Sequence, residues 1–227
     1  MSGRLGSPRV HLRRTGSTNE RARELALGGA PHGTLVTADQ QTSGRGRQGR
    51  TCSAAPREAL LMSLVLRELD PMLPLSAAVA ICDSLPVDCA IKWPNDVWVD
   101  GRKLAGILVE GRPQEGWAVL GIGLNVSTTS FPGELAGTAT SLRLAGDETE
   151  IDAVLSRLLA ALGQWLTAPR ERVLAEWSRR DALRGEPVRW TGGEGTAAGI
   201  DSDGGLLVDT ATGRVKLDAG EVHLQPR

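Results

Sequence analysis

The chain has 227 residues and a formal net charge of −1, enough for one full core plus a small appendage but with no global field to draw in nucleic acid or a membrane surface. No apolar run approaches the ~20 residues needed to cross a bilayer, and the N-terminal stretch has no apolar signal core. Three cysteines without C-x-x-C spacing argue for a reducing, cytoplasmic setting rather than a disulfide or zinc scaffold.

In chain order, residues 10–12 read as a short strand. Ser17-Thr18-Asn19-Glu20 has capping-box spacing, a serine followed three residues later by a glutamate, and opens a helix that runs to Leu27 and stops at Gly28-Gly29. A strand over 34–38 delivers the stretch 41–50. Residues 60–66 are a continuous apolar run, a buried strand, and 75–85 a short helix opened after Pro74. Segments 90–93, 97–99, 103–110 and 117–126 then follow too closely for crossover helices, so the sheet is expected to be largely antiparallel. Asp100-Gly101 is a two-residue hairpin signal, and 111–116 is another turn. Val154, Leu155, Leu158, Leu159, Leu162 and Leu166 recur with a helical period, predicting a helix over 151–166, and a second helix starts near Pro169 and runs through Trp177. After Arg184-Gly185-Glu186 come short strands at 188–190, 196–200, 206–209 and 214–217. That tail is about 40 residues of small β-barrel, too small to stand alone and expected to dock on the rest. The expected class is α+β, a mostly antiparallel sheet flanked by helices, with a domain over 1–183 and a barrel over 184–227.

Two stretches carry chemistry. Gln41-Thr42-Ser43-Gly44-Arg45-Gly46-Arg47-Gln48-Gly49-Arg50 alternates arginine with glycine. Glycine lets a backbone approach a ligand closely, and arginine offers a planar charged fork for phosphate and carboxylate. It reads as a mobile loop closing over an anion, although a solvated loop or an RNA-binding tract has the same composition. The second stretch is Lys92-Trp93-Pro94-Asn95-Asp96 followed by Gly101-Arg102-Lys103-Leu104-Ala105-Gly106-Ile107-Leu108-Val109-Glu110. Pro94-Asn95-Asp96 is a turn that projects polar side chains from a sheet end. Counting by twos puts Lys103 on the face of Ala105, Ile107 and Val109, where a lysine costs desolvation unless an anion meets it. Gly106 leaves room for a ligand or backbone. Taken singly, a hairpin lysine reaching out to water is equally admissible.

Taken jointly, and with Ser17-Thr18-Asn19 before them and Gly121-Ile122-Gly123-Leu124-Asn125-Val126 after, these pieces resemble the bacterial biotin protein ligases in the family's own order. The resemblance runs from about residue 10 to the C-terminus. It implies a sheet like that of the class II aminoacyl-tRNA synthetases and biotin synthetases, with an SH3-like C-terminal barrel. It implies that Ser17, Thr18 and Gln41 line a biotin pocket and hydrogen-bond the ureido ring, with Asn19 holding that wall and Gly44 and Gly106 beside it. A cyclic urea has two N–H donors and one strong acceptor, so hydroxyls and amides are its complement. Arg45, Gly46 and Arg47 are expected to fold over biotin and the adenylate. Lys103 is expected against the biotin carboxylate and the α-phosphate; with Arg47 it is the catalytic candidate. Arg50, Asn95, Asp96 and Asn125 are expected to face the nucleotide, with Asp96 helping to place Mg²⁺. Trp93 reads as core packing in preference to a binding-site wall.

The implied reaction joins biotin and ATP as biotinyl-adenylate, then passes biotin to a lysine of a biotin carboxyl carrier domain of acetyl-CoA carboxylase or a related carboxylase. No side-chain nucleophile is required, so His11, His32, His223 and the cysteines need no catalytic role. The chain reaches Ser17-Thr18-Asn19 almost at once, so no DNA-binding role and no membrane role are expected; monomer and homodimer both stay open. Cys52 stands where the family usually has a tryptophan after the loop. The rival readings are a lipoate-type ligase of the same superfamily and a non-catalytic RNA-binding module.

Overall fold

Seven strands and four helices build the main body of this computed structural model, which describes residues 4–45, 51–52, 55–67, 70–218, 220 and 222–225. In chain order these are β1 (Arg9–Leu12), α1 (Thr18–Leu27), β2 (Leu35–Ala38), a short ribbon of β3 (Gly44–Arg45) and β4 (Thr51–Cys52), and β5 (Ala59–Leu66). Then come α2 (Leu73–Ser84), β6 (Ala90–Lys92), β7 (Asp96–Val99), β8 (Arg102–Arg112), β9 (Trp117–Asn125), α3 (Ile151–Trp165) and α4 (Arg170–Arg179). The sheet order is β1-β2-β5-β9-β8-β7-β6. Every pair is antiparallel except β1 with β2; that pair is parallel because α1 lies between its strands as a crossover. Asp100 and Gly101 close the β7–β8 hairpin with φ of 50° and 72°, the two left-handed residues such a turn requires.

The two faces of the sheet differ, and the difference makes the site. On one face, β5 and β9 pair Leu60 with Leu124, Met62 with Ile122 and Leu64 with Leu120. These rows join Ile107 of β8 and the buried residues of α2 and α3 in the main apolar cluster. On the other face α1 covers one end, where Ala22 and Ala26 pack on Val36, Val65, Trp117 and Val119. Beyond α1 the face carries Ser63, Gly121, Gly106 and Gly123, and above Gly123 a trough is left open among the described residues.

The C-terminal strands are β10 (Pro187–Trp190), β11 (Gly193–Ile200), β12 (Leu206–Thr210), β13 (Gly213–Leu217) and β14 (Val222–Leu224). They form an antiparallel sheet in the order β13-β12-β11-β10-β14. The three-residue β14 was not anticipated, since so short a segment shows no alternation. The barrel expected here is an open sheet: β13 and β14 are its two edges and no ladder joins them among the described residues. Val188, Ala197, Leu206, Val208 and Val222 belong to the same apolar cluster as the large sheet. Trp93, buried as expected, donates its Nε1–H to the Gly204 carbonyl at 3.0 Å and ties the two sheets together. Among the described residues no helix is long and apolar enough to cross a membrane.

Candidate active site

The wall at one end of the trough is assembled where β1 gives way to α1. Thr15 bridges to Gln41, and Ser43 N–H donates to the Gly16 carbonyl at 2.9 Å, so the segment after β2 is stitched beside the start of α1. The Gln41 side-chain carbonyl accepts from the Thr18 backbone N–H at 2.6 Å and lies 3.0 Å from the Thr18 hydroxyl oxygen. Ser17 occupies the N-cap position, yet its side chain makes no capping bond. The capping read from Ser17 is therefore performed from outside the helix by Gln41, which satisfies one of the otherwise orphaned first-turn donors.

Ser63, fully buried in β5, lies 2.8 Å from the Thr18 hydroxyl and 2.6 Å from Asn19 Oδ1. Asn19 Nδ2 in turn donates to Glu110 Oε2 at 2.8 Å. Thr18, Asn19 and Gln41 are thus brought together as expected, and Ser63 and Glu110 join them unforeseen. A lone hydroxyl inside the apolar run 59–66 and a charge directly after the apolar run 104–109 were the signals available.

Asn19 can lie on the sheet only because Gly121 is glycine: a Cβ there would fall 2.0 Å from its Oδ1. The register sets Leu108, Gly121 and Ser63 in one cross-strand row and Asp96, Gly106, Gly123 and Leu61 in the next. Above Gly123 no described atom lies within 4 Å of where a Cβ would stand. Gly123 is therefore an open floor two residues along the strand from the polar wall, roughly 7 Å away, while the Lys103 side chain lies over Gly106 beside it.

At the far end of that floor Lys103 Nζ meets Asp96 Oδ1 at 2.7 Å. The expectation that Lys103 shares the face of Ala105, Ile107 and Val109 is corrected here. Val97 pairs with Ala105 but Trp98 pairs with Lys103, leaving Leu104 as an extra residue in β8. This β-bulge reverses the alternation and turns Lys103 to the face of Asp96 and Gly106, where its Nζ sits 3.2 Å from the position a Gly106 Cβ would take. The side chains are 45% and 19% exposed, so the pair is worth ~0–1 kcal/mol and an incoming anion exchanges it at little cost. The backbone of Lys103 is clamped by the Thr138 carbonyl at 2.8 Å and the Thr140 N–H at 2.9 Å. The Asn125 amide donates to the Thr140 carbonyl at 2.9 Å, so one segment holds both residues. Asn95 spends its Nδ2 on the Ile107 carbonyl at 2.7 Å, fixing the turn that carries Asp96.

Gly44 and Arg45 pair with Cys52 and Thr51 in the β3–β4 ribbon. Gly46, Arg47 and Arg50 lie outside the described residues. Among the described residues no group of three or more His, Cys, Asp or Glu side chains is arranged to hold a metal. Among the described residues Asp96 is the carboxylate at the Lys103 end of the trough, which fits a magnesium ion that arrives on a polyphosphate and takes most of its oxygens from phosphate and water.

The chain is similar to known proteins over most of its length. Residues 11–127 match the biotin/lipoate A/B protein ligase family, and residues 185–224 match the biotin protein ligase C-terminal domain. The biotin–[acetyl-CoA-carboxylase] ligase of Mycobacterium tuberculosis is 38% identical, over 93% of this chain and 87% of its own length. The bifunctional ligase/repressor BirA of Bacillus spizizenii is 35% identical, over 92% of this chain and 71% of its own. Among solved structures, the biotin protein ligase of Aquifex aeolicus in complex with biotin and ATP superimposes with a TM-score of 0.85 at 27% identity, covering 97% of this chain and all of that one. The chain belongs to the biotin protein ligase family and is an ATP-dependent biotin ligase.

Proposed function

We propose that biotin lies along the glycine floor with its ureido ring against Thr18, Gln41 and Ser17 and its carboxylate at Lys103, and that Mg-ATP enters beside Asp96 and Asn125. The observation that carries this reading is the layout of the open face. A hydroxyl–amide wall suited to a cyclic urea stands at one end, and an easily exchanged lysine–aspartate pair stands at the other. Gly123 between them leaves the face open to a ligand.

In the first step a biotin carboxylate oxygen attacks the α-phosphorus of ATP, the bond to the β-phosphate bridging oxygen breaks, and pyrophosphate leaves. The barrier is partly the repulsion between a carboxylate and a polyanion. Lys103, released from Asp96 by the incoming anions, offsets it by meeting both of them, and Arg47 is assigned the same work from the loop. Asp96 then holds the magnesium that the nucleotide brings. In the second step a carrier lysine amine attacks the acyl carbon of the mixed anhydride, and AMP departs as an amide forms.

We assign the acceptor as a carboxylase carrier domain, in keeping with the name of the Mycobacterium relative. The buried free thiols of Cys82 and Cys89 suit a reducing cytoplasm. We divide the chain into a catalytic unit, 1–183, and a docked unit, 184–227. The test is incubation with biotin, Mg-ATP and a biotin carboxyl carrier domain, with lipoate in a parallel sample. A gain of one biotinyl group on one carrier lysine is expected; an unmodified carrier in the presence of biotinyl-adenylate would contradict the acceptor assignment.

A further inference from the structure

We propose that Glu110 is a positioning residue for the ureido wall: by fixing the Asn19 amide it draws two hydroxyl protons away from the trough and leaves an acceptor-rich surface for the paired N–H groups of a cyclic urea. The proposal rests on the biotin reading above.

Glu110 sits on β8, four residues beyond Gly106 and on the same face. Its Oε2 lies 2.8 Å from Asn19 Nδ2, which reaches the Leu108 carbonyl only at the long distance of 3.5 Å, and Asn19 is 5% exposed. An ionised carboxylate only accepts, so the amide must turn its NH₂ to Glu110 and its Oδ1 to Ser63. Ser63 Oγ stands 2.6 Å from that oxygen. A hydroxyl has one proton, and Asn19 Oδ1 can only accept it, so Ser63 gives its proton to Asn19. Toward Thr18 Oγ1, 2.8 Å away, Ser63 is then left as an acceptor. Thr18 turns its own proton to Ser63, and the donors Asn19, Ser63 and Thr18 all point toward Glu110.

The consequence appears at the wall. Thr18 Oγ1 keeps its lone pairs, and Gln41 Oε1, already accepting from the Thr18 backbone N–H, keeps one as well. If the Asn19 amide were reversed, its NH₂ would face Ser63. Ser63 would then donate to Thr18, and Thr18 to Gln41, at the 3.0 Å already present. Both wall oxygens would lose acceptor capacity, and a urea's N–H donors would meet fewer partners. A hydrogen-bonded chain of this kind acts as a unit.

The test compares Glu110→Met, which keeps the stem and removes the acceptor, with Glu110→Gln, whose Oε1 still accepts from Asn19. Loss of one poised hydrogen bond predicts a biotin KM raised about tenfold in Glu110→Met. Its kcat at saturating biotin and its KM for ATP stay within about twofold of the unaltered chain, because neither depends on the wall. Glu110→Gln restores the biotin KM to within about threefold, since a neutral acceptor keeps the relay's direction at reduced strength. Ser63→Ala raises biotin KM likewise, and the double variant with Glu110→Met adds little, because both break one relay. A biotin analogue methylated at one ureido nitrogen loses less affinity in Glu110→Met than in the unaltered chain. A biotin KM unchanged in Glu110→Met, an equal loss in kcat and ATP KM, or fully additive losses with Ser63→Ala would overturn the proposal while leaving the biotin reading intact. Failure of the unaltered chain to bind biotin would overturn both. Should Glu110→Met not fold, the Ser63→Ala arm with the methylated analogue decides alone: undiminished analogue discrimination there contradicts the relay.

Discussion

Lys103 reaches the trough because of a neighbour with no chemistry of its own. Leu104, the extra residue in β8, reverses the alternation and sends the lysine to the open face. A bulge of this kind has no signature in a single strand's residue pattern, which is why counting by twos placed Lys103 among Ala105, Ile107 and Val109. Desolvation demanded an anion there only if the lysine stood on the buried face, and that ground falls with the placement; Asp96 lies 2.7 Å away, but on the open face. Thr18, Asn19 and Gln41 were legible only through a family resemblance, because spacing does not reveal which distant segments meet. Ser63 and Glu110 were illegible for that same reason: their meaning lies in contacts across 44 and 91 residues of chain. Removing the ammonium in Lys103→Ala is expected to slow adenylate formation by about 10² or more, the scale of one preorganised charge donor. Single-turnover formation of biotinyl-adenylate checks this, and near-normal turnover would take Lys103 out of the mechanism.

Among the elements, the glycine-rich strands β8 and β9 matter most for function. A Cβ on Gly121 would collide with the Asn19 side chain, so Gly121→Ala is expected to displace the wall and weaken biotin binding; an unchanged biotin Kd by calorimetry would contradict this. In the small sheet, charge closes the loop between β11 and β12. Burial alone would raise the Asp201 pKa, but the Lys216 ammonium at 2.7 Å and the backbone N–H groups of Gly205 and Asp203 hold it below the usual carboxylate range. A depressed carboxylate contributes stability that is present above its unfolded pKa of about 3.9 and lost as pH falls through the lower folded value. Lys216→Met is therefore expected to lower the urea midpoint at pH 6 and to flatten its decline below about pH 4. Parallel declines in the two proteins would contradict the assignment. The capping box, by contrast, misled about the cap although not about the helix. Its spacing found the start of α1, while the cap itself comes from Gln41, 23 residues away.

At the scale of the whole molecule, the central sheet was legible because closely spaced strands allow little except antiparallel pairing, and the one parallel pair has a helix to make its crossover. The barrel was read as closed because four strands with tight turns suggest it; the fifth strand, β14, adds to the edge beside β10 instead. The two sheets share one apolar cluster, with the Trp93–Gly204 hydrogen bond across their junction. The chain is thus expected to unfold in one cooperative transition, and two resolved transitions would contradict a shared core. Trp93→Phe keeps a ring in the core and deletes the hydrogen bond, at a cost of about 1 kcal/mol and ~2–4 °C in thermal midpoint for a chain of this length.

The division of labour along the trough, a urea-binding wall at one end and a charge-exchanging lysine at the other, is tested most directly by pyrophosphate release on mixing the protein with Mg-ATP and either biotin or lipoate. Release that requires biotin and is absent with lipoate is the expected result. Release with lipoate alone, or none with either from folded protein, would contradict it.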